Sequence, residues 1–116
     1  MQSTDLVRLR HMLDAAREAV FFIAGKNRQD LDGSRMLALS LVKDIEILGE
    51  AASKVSEEGK RECPDIPWRD IIAMRNRLIH GYFDIDLNIV WHTVTDELPP
   101  IIRQLEKSLE KQTNSQ

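Results

Sequence analysis

Five functional side chains crowd one short stretch of this chain: a guanidinium at Arg75, an amide at Asn76, a second guanidinium at Arg77, an imidazole at His80 and a phenol at Tyr82. Arg grips a phosphate through parallel N–H donors, and His exchanges a proton near neutral pH. Together they suit phosphodiester chemistry, in which one group holds charge developing at phosphorus and another moves a proton. Asn76 and His80 are four apart and share a face if one helix carries both. Arg75 and His80 are five apart, about 140° around an ideal helix, which is awkward for a single target. Fraying at Gly81, or pairing of the segment with its copy in a second subunit, would repair that. By spacing alone, an imidazole at a helix C-terminus is also accounted for by its contact with the helix dipole.

Other chemistries find less support. A di-metal bundle needs Glu-x-x-His pairs on facing helices, but Arg8, Arg77 and Ile89 stand three residues before His11, His80 and His92. No metal-ligand set is read. Glu46 and Glu50 share a helix face without a His partner and read as a solvated or interface face. Asp84 and Asp86 read as turn and cap residues. The single cysteine, Cys63, excludes a disulfide within the chain, points to a reducing compartment and reads as inert beside Pro64. Trp68 and Trp91 read as core anchors. His11 and His92 receive no role.

The 116 residues, 42% hydrophobic and 30% charged, fit one domain spanning 1–116, with 112–116 a frayed polar tail. A net charge of −3 argues against broad, charge-driven nucleic-acid binding. Residues 60–82, however, hold five Lys/Arg against three Asp/Glu, so a nuclease with a small local footprint survives that test. No apolar run reaches the roughly 18–20 residues of a membrane span. No basic region feeds an apolar N-terminal stretch, so a cytoplasmic location without membrane attachment is expected.

The elements that must position these residues are helical. Gly and Pro are scarce and Leu, Ile, Ala, Glu, Lys and Arg dominate. A first helix starts at a Ser3 or Thr4 cap, draws an apolar stripe through Leu6, Leu9, Leu13, Ala16, Val20 and Ile23, and ends at Gly25. Residues 27–33 read as loop. A second helix over 35–58, apolar on more than one side, is central in a bundle or puts one face on a partner; Gly59 closes it. Pro67 opens a third helix over 68–79, with Gly81 as its left-handed cap. Asp86 caps a fourth over 87–98, and Pro99-Pro100 kinks the chain or starts a short fifth to about 111. The expected fold is all-α, a four- to five-helix up-and-down bundle that dimerises.

Arg75-x4-His80-x-Tyr82, with polar Asn76 after the arginine, resembles the R-x4-H-x-Y motif of HepT-like toxins in the HEPN superfamily. The likeness extends through Met74–Phe83, Gly49-Glu50-Ala51 upstream, and Val90-Trp91 with Asp96-Glu-Leu-Pro-Pro100 downstream. It implies a HEPN-like bundle acting as a metal-independent, cofactor-free ribonuclease toxin on RNA, paired with an MntA-like nucleotidyltransferase antitoxin. It implies homodimers or higher homo-oligomers with motif facing motif. Arg75 would hold the scissile phosphate, with Arg77 a further phosphate contact. His80 would serve as base to the 2′-OH or acid to the leaving 5′-oxygen, and Asn76 would orient His80 or donate to the phosphate. Tyr82 would accept AMP from the antitoxin. The rival reading is a non-catalytic helical module that binds a nucleotide or a partner; such relatives tend to lack the Arg/His pair.

Overall fold

The computed structural model describes residues 1–81 and 84–114, the side chain of His80 excepted. The alternating three- and four-residue spacing of the first apolar stripe produces α1 (Ser3–Phe22), which buries Leu6, Leu9, Leu13 and Ala16 along with Met12, Ala15 and Ala19. Its N-cap is Gln2, without a side-chain cap bond, so Ser3 and Thr4 lie inside the first turn instead of capping it. Asp5 acts at longer range. Its buried carboxylate accepts from the Ser56 amide at 3.0 Å and the Ser56 hydroxyl at 2.6 Å. Gly25 takes φ +74, the left-handed turn that lets the chain leave α1.

The expected loop 27–33 contains a short helix, α2 (Gln29–Asp32). Asn27 and Asp30 cap one another reciprocally, each amide donating to the other's side chain, and Leu31 is buried beneath them. Ser34 then caps α3 (Arg35–Lys54) by accepting from the Leu37 amide at 3.1 Å. The second helix therefore stops four residues short of the sequence expectation. Val55 turns extended to bury its side chain, and Ser56 restarts the chain as cap of α4 (Glu57–Glu62). Gly59 does not close a helix. It sits within α4 against Asp5, where a Cβ would fall 2.6 Å from Oδ2.

Pro67 is the N-cap of α5 (Trp68–Leu78), one position before the expected one. Ile71, Met74 and Leu78 form its buried stripe. The helix ends at Leu78 because Ile79 turns extended and pairs with Ile85. Strands β1 (Ile79–Gly81) and β2 (Asp84–Ile85) form an antiparallel hairpin, with Gly81 opposite Asp84. Gly81 is thus a strand residue, not a helix cap.

Asp86 caps α6 (Leu87–His92) as expected, accepting from the Ile89 amide at 3.1 Å. No break follows at the prolines. Residues Thr93–Glu97 form a π-helical segment that runs straight into α7 (Leu98–Asn114). Pro99 and Pro100 remove the donors that would bond the carbonyls of Thr95 and Asp96, and the helix widens directly before them. Residues 112–114, expected to fray, belong to α7, and Gln112 is buried.

The result is an all-α bundle built on α1, α3, α5 and the α6–α7 run. α1 packs on α3 and α7, and α3 packs on α5. The core joins Leu9, Met12, Leu41, Ile45, Leu48, Ile71, Met74, Leu78, Leu98 and Leu105, with Trp68 and Trp91 packed against it as expected. Among the described residues, no helix is long and apolar enough to cross a membrane.

Candidate active site

Burial of Met74 and Leu78 on the inner face of α5 fixes what the intervening residues do. Arg75, Asn76 and Arg77 point outward and are exposed. α5 runs antiparallel to α3, and the two approach closely at Gly49, where a Cβ would sit 3.3 Å from the Ile71 carbonyl. One turn further along, Glu46 of α3 meets Arg75 of α5, whose Nε donates to Oε1 at 3.3 Å. Arg77 is held from the other side: its Nη1 donates to Glu97 Oε1 at 3.2 Å, and Glu97 is the last residue of the π-helical segment.

Both motif guanidiniums are therefore held by carboxylates that nothing in the sequence connects to them. Glu46 reads from sequence as part of a solvated or interface face, and Glu97 only as part of the fourth helix and of the Asp96–Pro100 stretch that carries the resemblance. Their spacing does not announce these contacts, because one depends on how α3 crosses α5 and the other on the π turns. Exposed pairs of this kind contribute about 0–1 kcal/mol. The Arg75 side chain keeps 59% of its surface exposed. A phosphate offering two charge-assisted hydrogen bonds competes well with such a contact.

Asn76 and His80 do not share a helix face, since α5 ends between them and residue 80 belongs to β1. The unwinding expected at Gly81 begins two residues earlier, at Ile79. The hairpin is tied to the helix end by the Asp86 amide, which donates to the Leu78 carbonyl at 2.7 Å. The side chain of His80 and all of Tyr82 lie outside the described residues. Cys63 is buried, and burial pushes its thiol pKa up, which fits an inert packing role. Its carbonyl accepts from Trp68 Nε1 at 3.0 Å, which locks the start of α5.

A helical bundle whose α5 ends in exposed arginines is, as a class, a small α-helical protein equipped to meet phosphate. The chain belongs to the HepT-like ribonuclease family, whose model matches residues 12–108, and it is a ribonuclease acting on RNA. It is 30% identical over 104 residues to "Putative RNase TTE0752" of Caldanaerobacter subterraneus subsp. tengcongensis, covering 90% of this chain and 93% of that one. It is 38% identical over 68 residues to "Probable ribonuclease HepT" of Thermococcus cleftensis, covering 59% and 62%. "Putative RNase MJ1380" of Methanocaldococcus jannaschii is 28% identical over 98 residues, covering 84% and 90%. No solved structure matches at the same stringency.

Proposed function

We propose that this chain is a metal-independent endoribonuclease toxin, one domain acting in the cytoplasm as a homodimer or higher oligomer. The observation that carries the reading is the exposed Arg75-Asn76-Arg77 row at the end of α5, directly ahead of the strand that holds residue 80. In this reading the RNA 2′-OH gives its proton to one His80 imidazole as O2′ bonds to phosphorus. The P–O5′ bond breaks and the leaving 5′-oxygen takes a proton from the His80 of the facing protomer. Arg75 holds the phosphate through the charged transition state, Arg77 adds a second cation, and Asn76 donates to the phosphate or orients His80. Products end in 2′,3′-cyclic phosphate and 5′-hydroxyl.

Control belongs to a nucleotidyltransferase antitoxin of the MntA kind. The Tyr82 phenol attacks the α-phosphorus of ATP, loses its proton and expels pyrophosphate, leaving AMP on the tyrosine. The added phosphodiester stands two residues from His80 and pairs with Arg75 or Arg77, where RNA phosphate would bind.

One set of assays tests the whole reading. The wild type cuts RNA in EDTA and leaves cyclic-phosphate ends, whereas His80→Ala and Arg75→Ala keep the wild-type circular dichroism and lose at least about a hundredfold in rate. Antitoxin with Mg²⁺ and ATP adds the mass of AMP to the wild type and silences it; Tyr82→Phe gains no mass and keeps cutting. A folded His80→Ala protein with wild-type cleavage removes the mechanism. Adenylylation of Tyr82→Phe removes the proposed mode of control.

A further inference from the structure

Next to Arg75 a groove of about 320 Å³ opens between α1, α3 and α5. Its cations come from all three helices: Arg8 from α1, Lys43 and Lys54 from α3, and Arg75 from α5. The alignment follows from spacing. Lys43, Ile47, Glu50 and Lys54 fall four, three and four apart, which is one face of α3. On α1, His11 stands three residues after Arg8 and lines the same groove. Along α3, Lys43 and Lys54 are separated by about 16 Å at 1.5 Å per residue.

The groove's two carboxylates are already engaged. Glu46 meets Arg75 at 3.3 Å and Glu50 meets Lys54 at 3.3 Å. Arg8 and Lys43 have no carboxylate partner among the described residues. In a chain of net charge −3, this leaves a local positive excess that adjoins the motif arginine and is shaped as a trough. A trough of this size has no room for a duplex, which is recognised by shape across many base pairs. It suits one strand.

We propose that this groove is a track for the backbone of single-stranded RNA, in which Arg8 and Lys43 hold phosphates flanking the bond presented to Arg75. The inference rests on the reading of Arg75 as the residue at the scissile phosphate. Contacts to phosphate fix the position of the strand and carry no sequence information. The track therefore governs how tightly a longer RNA binds and how it is placed, and leaves the choice of bases to other contacts.

The test is fluorescence anisotropy of a labelled single-stranded RNA across a salt series, using wild type, Arg8→Ala/Lys43→Ala and Arg103→Ala/Lys107→Ala. The last pair changes two exposed cations on α7 outside the groove. Sedimentation and circular dichroism are recorded for each protein. The groove variant is expected to flatten the plot of log affinity against log salt by about 1.4, two phosphates at about 0.7 each for single strands. At moderate salt its binding weakens roughly tenfold. The α7 variant keeps the wild-type slope.

An unchanged slope in the groove variant overturns the inference. An equal loss in the α7 variant, which signals bulk charge alone, does so too. A changed sedimentation profile with unchanged RNA binding makes the groove a protein-docking surface and likewise overturns it. Binding is read separately from cleavage, so a wild type that binds with the expected slope yet cuts nothing supports the track and refutes the active-site reading instead.

Discussion

Arg75, where α3 meets α5, and Asp44, where α3 meets α1, show what burial does to a charge. The Arg75 guanidinium is exposed, held only by Glu46, and stays available to a ligand. Asp44, two residues before Glu46 on α3, is 3% exposed. Burial, then the hydrogen bond and the repulsion from Glu18, push its pKa from 3.8 up to about 7. His11 and Asp14 of α1 line the same depression. The folded protein thus binds a proton at Asp44 that the unfolded chain releases near pH 4. Its stabilising effect is complete below about pH 4 and is lost as pH rises through about 7. Between those limits the wild type is expected to lose stability on the order of 4 kcal/mol from this group. Asp44→Asn, uncharged throughout, should be flat over that range and more stable than wild type at pH 8. Chemical denaturation of both proteins at several pH values checks this, and parallel pH profiles would exclude it.

Among the elements, the crossing of α3 over α5 decides whether the motif is presented at all. Gly49 lets the helices approach until its Cα hydrogen faces the Ile71 and Ile72 carbonyls, and Glu46 and Arg75 meet one turn on. Gly49→Val puts a branched side chain where even a Cβ is tight. The expected cost is about 1–3 kcal/mol in stability. RNA cleavage should fall as α5 is pushed outward, even though residue 49 touches no substrate. Gly49→Ala needs a shift of only a few tenths of an ångström and regains helix propensity of about 0.5–1 kcal/mol, so it should be near neutral. Urea melts and cleavage rates of the two variants test the order. Equal activity in Gly49→Val and wild type would show that the crossing does not control the motif. The π-helical segment is the second deciding element, since it delivers Glu97 to Arg77 just ahead of two prolines.

At the scale of the whole molecule, one face of the bundle is unfinished. Met36 is 80% exposed on α3, Leu39 follows it at helical spacing, and Phe22 of α1 lines the same shallow depression. The proposed homodimer gives this strip a partner, and it answers the sequence signal that α3 is apolar on more than one side. Sedimentation of the wild type at micromolar concentration is expected to give a dimer or larger species. Met36→Glu with Leu39→Glu should yield a folded monomer. Mixing Arg75→Ala with His80→Ala chains should restore part of the cleavage, because the shared cleft of a mixed dimer holds one Arg75 and one His80, whereas each parent dimer lacks one of the two altogether. A monomeric, fully active wild type would remove the shared cleft.

Periodicity alone located the apolar stripe of α1 and marked α3 as apolar on more than one side, because a helix repeats every 3.6 residues and its buried face is written into the spacing. Chemistry of side-chain types singled out Arg75, Asn76, Arg77, His80 and Tyr82 as candidates, and the cap at Asp86 was legible from local hydrogen-bonding capacity. Where helices stop was less legible. α3 ends at Lys54 because Asp5, some fifty residues earlier, grips Ser56. α5 ends at Leu78 because Ile79 finds a strand partner in Ile85. The carboxylates on the motif arginines and the groove from Arg8 to Arg75 were equally out of reach. All of these are contacts between segments distant along the chain, and only tertiary packing decides which of two compatible local conformations such contacts favour.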